Sequence, residues 1–367
     1  MTWAAVAAAA TILAALGPAA GSAIADQGSG AVYTLTNSAA GNAVVVLDRA
    51  ANGTLSPAGT FPTGGLGSGN GLGSQGALVL GDDGRRLYAV NPGSSEISAF
   101  AVQNEELALI SKVSSGGVRP ISLTVSRGLI YVLNAGSATT PGNIAGFKIR
   151  NRELSPLAGS SRPLSADSVG PAQIQFNPSG RVLVVTEKAT NLIDTYVVGE
   201  GGLTSGPIVQ PSAGATPFGF DFDHRGHLIV SDAFGGASGQ SALSSYSLSS
   251  DGTLSAITPL APDGQTAACW VVVTKNGRYA YTTNTGSNNV SSYTIGADGS
   301  LTLLNGVAGT TGQTPADAAL ARNSRFLYAL NVGSNAISSF EVEPDGRLVP
   351  LAGLAGLPAG SVGLAAQ

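Results

Sequence analysis

The sequence predicts an all-β protein, a seven-bladed β-propeller whose ring is closed by a C-terminal strand that joins the first blade. Three observations lead to this prediction. One strand pattern recurs along the chain, and strand-like segments without a partner lie at both ends of the repeat. The copies are separated by roughly 45–50 residues, which is the spacing of four-stranded propeller blades.

The repeated unit consists of four short segments. An apolar strand ends in a polar-glycine turn, as in "AQIQFNPSG", and is followed by a strand of the form R-x-L-Y-x-x-N. An alternating strand such as "NAISSFEV" comes next, and "DGRLVPLAG" supplies a turn and a weaker outer strand. Alternation of apolar and polar residues is typical of strands, and Asp-Gly or Ser-Gly between such runs is typical of hairpin turns.

Seven copies of the Y-x-x-N strand number the blades from one to seven. They read, in chain order, "AVYTLTN", "RLYAVN", "LIYVLN", "VLVVTE", "LIVSD", "YAYTTN" and "FLYALN". The first copy follows Gly30, so blade one lacks an innermost strand, and the chain ends in "SVGLAAQ". We expect this last segment to supply the missing strand, because closing the ring protects the sheet edges. Residues 26–367 are expected to form one propeller domain, since no linker divides them.

Composition narrows the classes of partner. Only 11% of the 367 residues are charged, and the formal net charge is −4. The chain has no basic tract, which argues against nucleic acid or an anionic membrane surface as a partner. Cys269 is the single cysteine, which excludes an internal disulfide and a metal site built on cysteines. The expectation is a monomer that binds a small molecule.

The first 25 residues are expected to be a secretory signal peptide. Residues 3–16 form an apolar run that is short for a bilayer span, and Ala23-Ile24-Ala25 matches a small-x-small cleavage site before Asp26. No Lys or Arg precedes the apolar run, so an alanine-rich leader or a lipid-facing anchor stays open as the alternative. No later stretch is long and apolar enough to cross a membrane. We therefore expect a secreted, extracellular protein.

Two rings of side chains are expected at one mouth of the central channel, where several blades converge on a ligand. The first ring lies two residues after the start of each innermost strand and contains Ser122, Gln173, Gly219, Trp270 and Asp317. Trp270 is either a plug of the channel or an aromatic wall for a ring-shaped substrate. Substrate contacts are predicted for Ser122, Gln173, Trp270 and Asp317 of this ring. They are also predicted for Lys188 and Asn284, which belong to the second set of positions.

The second ring closes the Y-x-x-N strands and contains Asn37 (or Thr36), Asn91, Asn134, Glu187, Asp232, Asn284 and Asn331. An Asn at a strand end is typical of a residue that satisfies the following turn. Glu187 and Asp232 break the pattern in neighbouring blades, and two close carboxylates push their pKa values apart into an acid and a base. Lys188 would hold Glu187 ionised. The alternatives are a solvated salt bridge, or a cation site made of carboxylates and backbone carbonyls.

Other motifs are interpreted as structural. The stretch "TGGLGSGNGLGSQG" at 63–76 contains a dinucleotide-type G-x-G-x-x-G pattern, but a strand rather than a helix follows, so we interpret it as a flexible loop in blade one. His224 and His227 lie in a turn expected on the face opposite the mouth, which argues against a metal site and against Ser-His-Asp hydrolysis. Cys269 is interpreted as a small buried residue.

The chain resembles the seven-bladed lactonase propellers, a family that includes 6-phosphogluconolactonase-like proteins and carboxymuconate-cyclising enzymes. The resemblance rests on the repeat and on a segment of blade four with Gly170, Pro171, Phe176, Pro178, Gly180, Arg181, Val184 and Glu187. It implies reversible lactone chemistry in the funnel without a metal or another cofactor. It also implies that Glu187 stands at the family's acidic site position.

The chain departs from the family pattern directly after Gly-Pro. Ala172 and Gln173 stand where the family has Arg-His, and Asn177 stands where it has the His of Phe-His-Pro. A basic, phosphate-holding funnel is also absent from both rings. Phosphogluconolactone is therefore a poor match as the substrate, and catalysis would depend on Glu187 with Asp232, Lys188 and Gln173.

Two hypotheses from different classes follow. The first is a secreted hydrolase or isomerase of a lactone or related cyclic substrate. In it Glu187 is the general base and Asp232 its proton partner, while Gln173 and Asn284 donate hydrogen bonds to the developing oxyanion. The second is a non-catalytic extracellular propeller that binds a protein or a polymer.

Overall fold

The computed structural model describes Met1 and residues 29–103, 106–150 and 153–367. Within these ranges the chain forms 29 β strands and two short 3-10 helices, Glu200–Gly202 and Phe234–Gly236. Apart from Met1, the leader predicted at residues 1–25 lies outside the described residues, so export stays a prediction. No helix in the described part of the chain combines the length and the apolar character that a membrane span needs.

Seven sheets of consecutive strands make up the described part of the molecule, with the first strand of blades two to seven innermost. Blade one contains β1 (Gly30–Leu35), β2 (Ala43–Arg49) and β3 (Leu55–Pro62), and its innermost strand is β29 (Val362–Ala366). Blade two contains β4 (Leu78–Leu80), β5 (Arg86–Asn91), β6 (Glu96–Gln103) and β7 (Glu106–Ser114). Blade three contains β8 (Pro120–Ser126), β9 (Leu129–Asn134), β10 (Asn143–Arg150) and β11 (Glu153–Pro156), with β12 (Arg162–Pro163) also paired to β10.

The other four blades follow the same order. Blade four contains β13 (Pro171–Phe176), β14 (Val182–Glu187), β15 (Leu192–Val198) and β16 (Thr204–Pro211). Blade five contains β17 (Pro217–Phe222), β18 (Leu228–Asp232), β19 (Ala242–Leu248) and β20 (Leu254–Pro262). Blade six contains β21 (Ala268–Val273), β22 (Tyr279–Asn284), β23 (Asn289–Ile295) and β24 (Leu301–Thr310). Blade seven contains β25 (Pro315–Leu320), β26 (Phe326–Asn331), β27 (Ala336–Val342) and β28 (Leu348–Ala355).

The C-terminal strand closes the ring. β29 runs antiparallel to β1, with Val32 opposite Ala366 and Thr34 opposite Leu364. Each Y-x-x-N copy forms the strand next to the innermost one. These pairings confirm the predicted fold and its mode of closure.

The tyrosine of the Y-x-x-N pattern joins neighbouring blades. Its ring is buried between two sheets, where it fills the core, and its hydroxyl needs a hydrogen-bond partner there. That partner is a glycine carbonyl oxygen in the outer turn of the next blade, 2.9 Å away in three pairs: Tyr131–Gly202, Tyr281–Gly346 and Tyr328–Gly53. The pattern therefore specifies contacts between blades as well as a strand.

A residue in the left-handed region precedes the innermost strand in five blades. These residues are Arg119 (φ 57°), Gly170 (φ 61°), Thr216 (φ 57°), Ala267 (φ 58°) and Thr314 (φ 55°). A shift of register follows at once, as in blade four, where Pro171 and Gln173 lie opposite the consecutive residues Glu187 and Thr186. Such a bulge redirects the side chains beside it. It therefore decides which residues reach the mouth of the channel.

Candidate functional site

The first predicted ring forms a hydrogen-bonded belt between blades. In the described sheets an innermost strand has no further strand on its channel side, so its backbone groups need other partners. Side chains of the preceding blade supply them. Ser122 Oγ accepts a bond of 3.1 Å from the Ile174 N–H, and Gln173 Oε1 accepts one of 2.8 Å from the Phe220 N–H. Ser122 and Gln173 are therefore engaged in holding the ring together.

The two amides predicted to stabilise an oxyanion have no N–H group left for that role. A primary amide carries two N–H donors. Gln173 Nε2 donates to Gln175 Oε1 at 2.7 Å and to a carbonyl oxygen of the next blade at 2.8 Å. Asn284 Nδ2 donates to Asn289 Oδ1 at 2.8 Å and to Ser291 Oγ at 2.7 Å. In this structure Gln173 and Asn284 therefore cannot donate to an oxyanion as predicted, because both N–H groups of each amide already have acceptors.

The second predicted ring lies inside the blades rather than at the mouth. Its asparagines in blades two, six and seven are 0% exposed. Each amide donates to a serine hydroxyl on the third strand, in the pairs Asn91–Ser98 (2.8 Å), Asn284–Ser291 (2.7 Å) and Asn331–Ser338 (2.9 Å). The expected placement of this ring was wrong, because these side chains point into the contact between strands and away from the channel.

Blade four replaces the Asn–Ser pair by two carboxyl groups. Glu187 takes the position of the asparagine and Asp194 that of the serine, and both are 0% exposed. Burial, a hydrogen bond to Glu187 and the charge of Glu187 raise the pKa of Asp194 to about 8. Asp194 therefore stays largely protonated at neutral pH, next to Glu187. Asp194 was missed from the sequence, although an Asn-x6-Ser spacing recurs in blades two, six and seven.

The Glu187 carboxylate is enclosed on its other sides by the chain before and after it. Ser165 donates to it twice, from the backbone N–H to Oε1 at 3.1 Å and from Oγ to Oε2. Thr190 Oγ1 donates to Oε2 at 2.8 Å. With full burial, these contacts separate the carboxylate from any molecule in the mouth.

Asp232 is a separate buried acid in blade five. It is 0% exposed, and neither carboxyl oxygen has a hydrogen-bond partner of ordinary geometry among the described residues. Burial raises the pKa of Asp232 to about 8, and the nearby hydroxyls of Ser244 and Ser212 oppose this shift. The acid coupled to Glu187 is thus Asp194, which corrects the expected Glu187–Asp232 pair. A catalytic role for Glu187 or Asp232 stays a prediction.

Lys188 begins the turn that follows β14, and its contacts place its side chain at the mouth. Its Nζ donates to the Gly73 carbonyl oxygen and lies 4.4 Å from the centre of the Phe218 ring. No ion pair joins it to Glu187 in the described part of the chain, where the Lys and Arg side chains in ion pairs are Lys112, Arg325 and Arg347. This geometry supports neither the prediction that Lys188 holds Glu187 ionised nor its alternative, a solvated salt bridge between the two.

The surroundings of Lys188 make it a weaker base than an exposed lysine. Burial lowers the pKa of Lys188 to about 8; the Cys269 thiol opposes the shift and the guanidinium of Arg119 adds to it. Burial also raises the pKa of Cys269 to about 11. Around neutral pH, Lys188 therefore exchanges protons readily while the thiol stays protonated.

The glycine-rich loop 63–76 crosses the mouth of the channel. Trp270 Nε1 donates to the Ser74 carbonyl oxygen at 3.1 Å, and Ser74 Oγ donates to the Ile121 carbonyl oxygen at 2.8 Å. The Gln75 side chain exchanges two hydrogen bonds with the backbone of Val271, at 2.8 and 3.2 Å. The loop is thus fixed to blades three and six, which corrects its interpretation as a flexible part of blade one. β4 follows it, as the sequence indicated.

Two cavities adjoin the loop and the mouth. One, of about 250 Å³, has the loop residues 71–74 as one wall and Trp270, Ala316 and Val332 among the others. Lys188 bonds to the loop but does not line this cavity, so the loop lies between Lys188 and the cavity. The second, of about 760 Å³, opens between blades two, three and four beside Arg119.

In blades two, three and seven the residue after the second-strand asparagine faces the mouth. Pro92 and Ala135 line the 760 Å³ cavity, and Val332 lines the 250 Å³ cavity. Lys188 is the residue at this position in blade four. The signal that locates it is strand alternation, counted one residue beyond the asparagine.

Other predicted residues lie away from the mouth. Asp317 lines a third cavity, of about 440 Å³, in the channel beneath the loop. His227 Nδ1 lies 2.8 Å from Asp223 Oδ2, in the turn between β17 and β18 where the sequence placed it. No cluster of three or more His, Cys, Asp or Glu side chains suited to a metal ion occurs within the described ranges.

Solved structures share the fold over nearly the whole chain. A periplasmic gluconolactonase from Pseudomonas aeruginosa is 18% identical, with a TM-score of 0.68 over 91% of this chain and 98% of that one. A candidate 6-phosphogluconolactonase from Bacteroides uniformis is 19% identical, with a TM-score of 0.70 over 92% of this chain and 99% of that one. No curated protein matches this chain.

The sequence profile of the family described as "Lactonase, 7-bladed beta-propeller" matches residues 31–160 and 239–359. The residues between the two matched segments, 161–238, hold blade four and the first two strands of blade five, and with them Glu187, Lys188 and Asp232. The match extends over well more than half of the chain, which therefore belongs to the seven-bladed lactonase β-propeller family.

Proposed function

We propose that this protein hydrolyses a lactone at the mouth of the central channel, with Lys188 as the acid–base group. The observation that carries the proposal is a half-buried amine that points to the mouth and has its pKa lowered to about 8. An acid–base catalyst works best when its pKa is near the working pH, and burial tunes lysine into this range. Membership of the lactonase family supports a lactone as the substrate class.

One residue suffices for both proton transfers. Neutral Lys188 takes a proton from a water molecule while the water oxygen attacks the lactone carbonyl carbon. The tetrahedral intermediate then loses its ring C–O bond, and the Lys188 ammonium returns the proton to the leaving alkoxide, which gives a hydroxy acid. The Phe218 ring, 4.4 Å from Nζ, stabilises the ammonium between the two steps.

In this proposal Lys188 replaces Glu187 as the base. The Glu187 carboxylate is 0% exposed and accepts three hydrogen bonds from Ser165 and Thr190, so a substrate has no access to it. In this proposal Glu187 and Asp194 have a structural role: they stabilise the strands of blade four next to Lys188.

The lactone that suits the mouth is neutral and largely apolar. The 250 Å³ cavity has Trp270, Ala316 and Val332 in its walls, and an indole face suits a small ring. The loop residues 71–74 lie between this cavity and Lys188, so they must move aside for the substrate to reach the amine. Gly73, at φ 58°, is a residue at which such a movement meets little steric resistance.

We also propose that the protein is exported. The support is the apolar run at residues 3–16 with its small-x-small site before Asp26. The Pseudomonas aeruginosa gluconolactonase with the same fold is periplasmic. Cell fractionation of the producing strain tests this, and an uncleaved chain confined to the cytoplasm would contradict it.

A non-catalytic propeller that binds a protein or polymer is the second candidate. The observation that favours it is the loop, whose contacts with Trp270, Ile121 and Val271 occupy the mouth. If the loop stays in this position, no substrate can reach the Lys188 amine. The two candidates differ in whether any lactone is turned over.

The test is pH-stat hydrolysis of a panel of γ- and δ-lactones, from unsubstituted to alkyl-substituted and polyhydroxylated, by residues 26–367. We expect acid release to be fastest with alkyl-substituted lactones. Lys188→Met should lower kcat/KM by about 10²–10⁴-fold, which is the usual contribution of an acid–base group to the rate. Absence of acid release with every lactone would favour the binding propeller.

Glu187→Gln is the matched control, because it keeps the volume of the side chain. We expect it to retain turnover as long as the variant is folded, as judged by circular dichroism. Loss of turnover in a folded Glu187→Gln protein, with turnover retained in Lys188→Met, would assign the base to Glu187 instead.

A further inference from the structure

Lys188 differs from the other lysines of the chain in what surrounds its amine. The four lysines are Lys112, Lys148, Lys188 and Lys275. Lys112 forms an ion pair of 2.7 Å with Glu96, and Lys275 is exposed. Lys188 is half-buried, and its Nζ meets the Gly73 carbonyl oxygen and the Phe218 ring, 4.4 Å away, instead of a carboxylate. A neutral, nucleophilic amine therefore forms more easily at Lys188 than at an exposed lysine.

Arg119 is an unusual residue at the entrance of blade three. The backbone before the innermost strand is left-handed in five blades, and the other four residues at this position are glycine, threonine or alanine. A long side chain in this conformation costs free energy, and such strain clusters at binding sites. Its backbone N–H donates to Ser95 Oγ at 3.2 Å, whereas no ion pair or hydrogen bond within the described part of the chain engages its exposed guanidinium. The guanidinium is thus free to bind an anion.

The 760 Å³ cavity brings Arg119 and Lys188 to the same side of the mouth. Arg119, Gly170 and Pro171 line this cavity. The Lys188 backbone N–H donates to the Gly170 carbonyl oxygen at 3.1 Å, so the lysine leaves the chain at the cavity wall. The charge of Arg119 acts on the Lys188 amine, and the described lining contains one acid, the exposed Asp167. Two cationic groups beside one cavity favour an anionic ligand.

We propose that Lys188 forms a covalent imine with a small oxo acid, whose carboxylate is held by the Arg119 guanidinium. Desolvation and a neighbouring cation are the two devices that make a lysine reactive toward a ketone or an aldehyde, and Lys188 has both. A guanidinium binds a carboxylate through two parallel hydrogen bonds, which would fix the oxo acid in the cavity. The inference goes beyond the proposed hydrolysis, because it concerns a different reaction of the same amine with a different class of molecule.

The reaction needs no further reagent. The neutral amine nitrogen attacks the carbonyl carbon, and a proton moves from nitrogen to the former carbonyl oxygen to give a carbinolamine. The carbinolamine takes up one proton and loses its hydroxyl group as water, which leaves a protonated imine. The Phe218 ring stabilises this cation. An amine bound in the imine cannot take a proton from water, so an oxo acid should also inhibit lactone turnover.

The experiment traps the imine in residues 26–367 with pyruvate and sodium cyanoborohydride at neutral pH, and peptide mass mapping then locates the adduct. Burial lowers the pKa of Lys188 to about 8, so its neutral fraction at pH 7 is roughly a hundredfold that of an exposed lysine. We expect Lys188 to be labelled at least about ten times faster than Lys148 and Lys275, since partial burial offsets some of this advantage. Equal labelling of all lysines, or no label on Lys188, would overturn the proposal.

Arg119→Gln tests the carboxylate contact. Pyruvate is compared with hydroxyacetone, in which a hydroxymethyl group replaces the carboxylate, and the label on Lys188 is divided by that on Lys275 in the same sample. In the wild type this ratio should be higher with pyruvate. Arg119→Gln should lower it several-fold with pyruvate and less with hydroxyacetone. An unchanged ratio with pyruvate, or an equal fall with both compounds, would contradict the contact between Arg119 and the carboxylate.

The two proposals for Lys188 can fail separately. Selective labelling of Lys188 in a protein that hydrolyses no lactone of the panel would support the imine and reject the proposed hydrolysis. Lactone hydrolysis that depends on Lys188, without a label on Lys188, would reject the imine and leave the hydrolysis standing.

Discussion

Glu187 and Asp194 are diagonal neighbours on the second and third strands of blade four, at the positions where blades two, six and seven carry an Asn–Ser pair. In those blades an amide N–H donates to a hydroxyl oxygen. In blade four both members are acids, and Asp194, whose raised pKa keeps it protonated near neutral pH, can supply the donor that the amide no longer provides. The two replacements therefore compensate each other.

This relationship predicts a strong coupling between the two positions. Glu187→Asn and Asp194→Ser, made singly, should each lower the free energy of unfolding by about 1–3 kcal/mol, because each leaves a buried carboxyl without its matched partner. The double variant recreates the pair of the other blades, so its loss should be smaller than the sum of the single losses. Urea unfolding of the four proteins measures the coupling, expected at about 1 kcal/mol or more. Additive losses would contradict the compensation between the two positions.

Stability should fall as the pH rises from acid to mildly alkaline. The pKa values of Asp194 and Asp232 are raised from 3.8 to about 8, so between these limits the folded chain binds more protons than the unfolded chain. The free energy of unfolding then decreases with pH, by on the order of a few kcal/mol between about pH 4 and pH 8. Urea unfolding at three pH values in that window checks the sign.

Asp232→Asn is the control for the pH dependence. It removes one titrating group and keeps the side-chain volume, so the slope of stability against pH should become shallower and the protein at pH 8 should be more stable than wild type. A free energy of unfolding that increases from pH 5 to pH 8 in the wild type would refute the predicted direction.

The loop across the mouth should limit access to Lys188. Gln75→Ala removes two hydrogen bonds to the Val271 backbone, so it should cost about 1–2 kcal/mol of stability and let the loop open more often. We expect faster amide hydrogen exchange in residues 71–76 and a several-fold rise in kcat/KM. Gln103→Ala, on the exposed end of β6, is the control and should change neither. Slower turnover in Gln75→Ala would show that the loop shapes the site instead of covering it.

The fold was predictable because the repeat carries it at many positions. Seven strand copies, their turns and the unpaired ends specify blades and closure even where one copy is irregular, as in blade four. Side-chain direction was not predictable to the same degree. In the sequence analysis the mouth position was placed one residue too early, at Glu187. A shift of one residue brings a different side chain to the mouth, and in the structure that side chain is Lys188.

The loop and the acid pair were missed for different reasons. The loop bonds largely through backbone groups, such as the carbonyl oxygens of Gly73 and Ser74, and these leave no mark on a residue pattern. Asp194 lies next to Glu187 because of the register between two strands. In the sequence analysis only the residues that end the second strands were compared, so Asp194 was not included. The spacing of seven residues between Asn and Ser in blades two, six and seven was the available signal.

The most direct test of the account is the pH dependence of kcat/KM for the lactone that wild type hydrolyses fastest, measured beside Lys188→Arg. With Lys188 as the base, the wild-type value should rise about tenfold per pH unit below pH 8 and level off above it. Lys188→Arg keeps the positive charge but has no accessible neutral form, so it should lose at least about 10²-fold at pH 8. A wild-type profile that is already level at pH 6, or an arginine variant as active as wild type, would contradict the account.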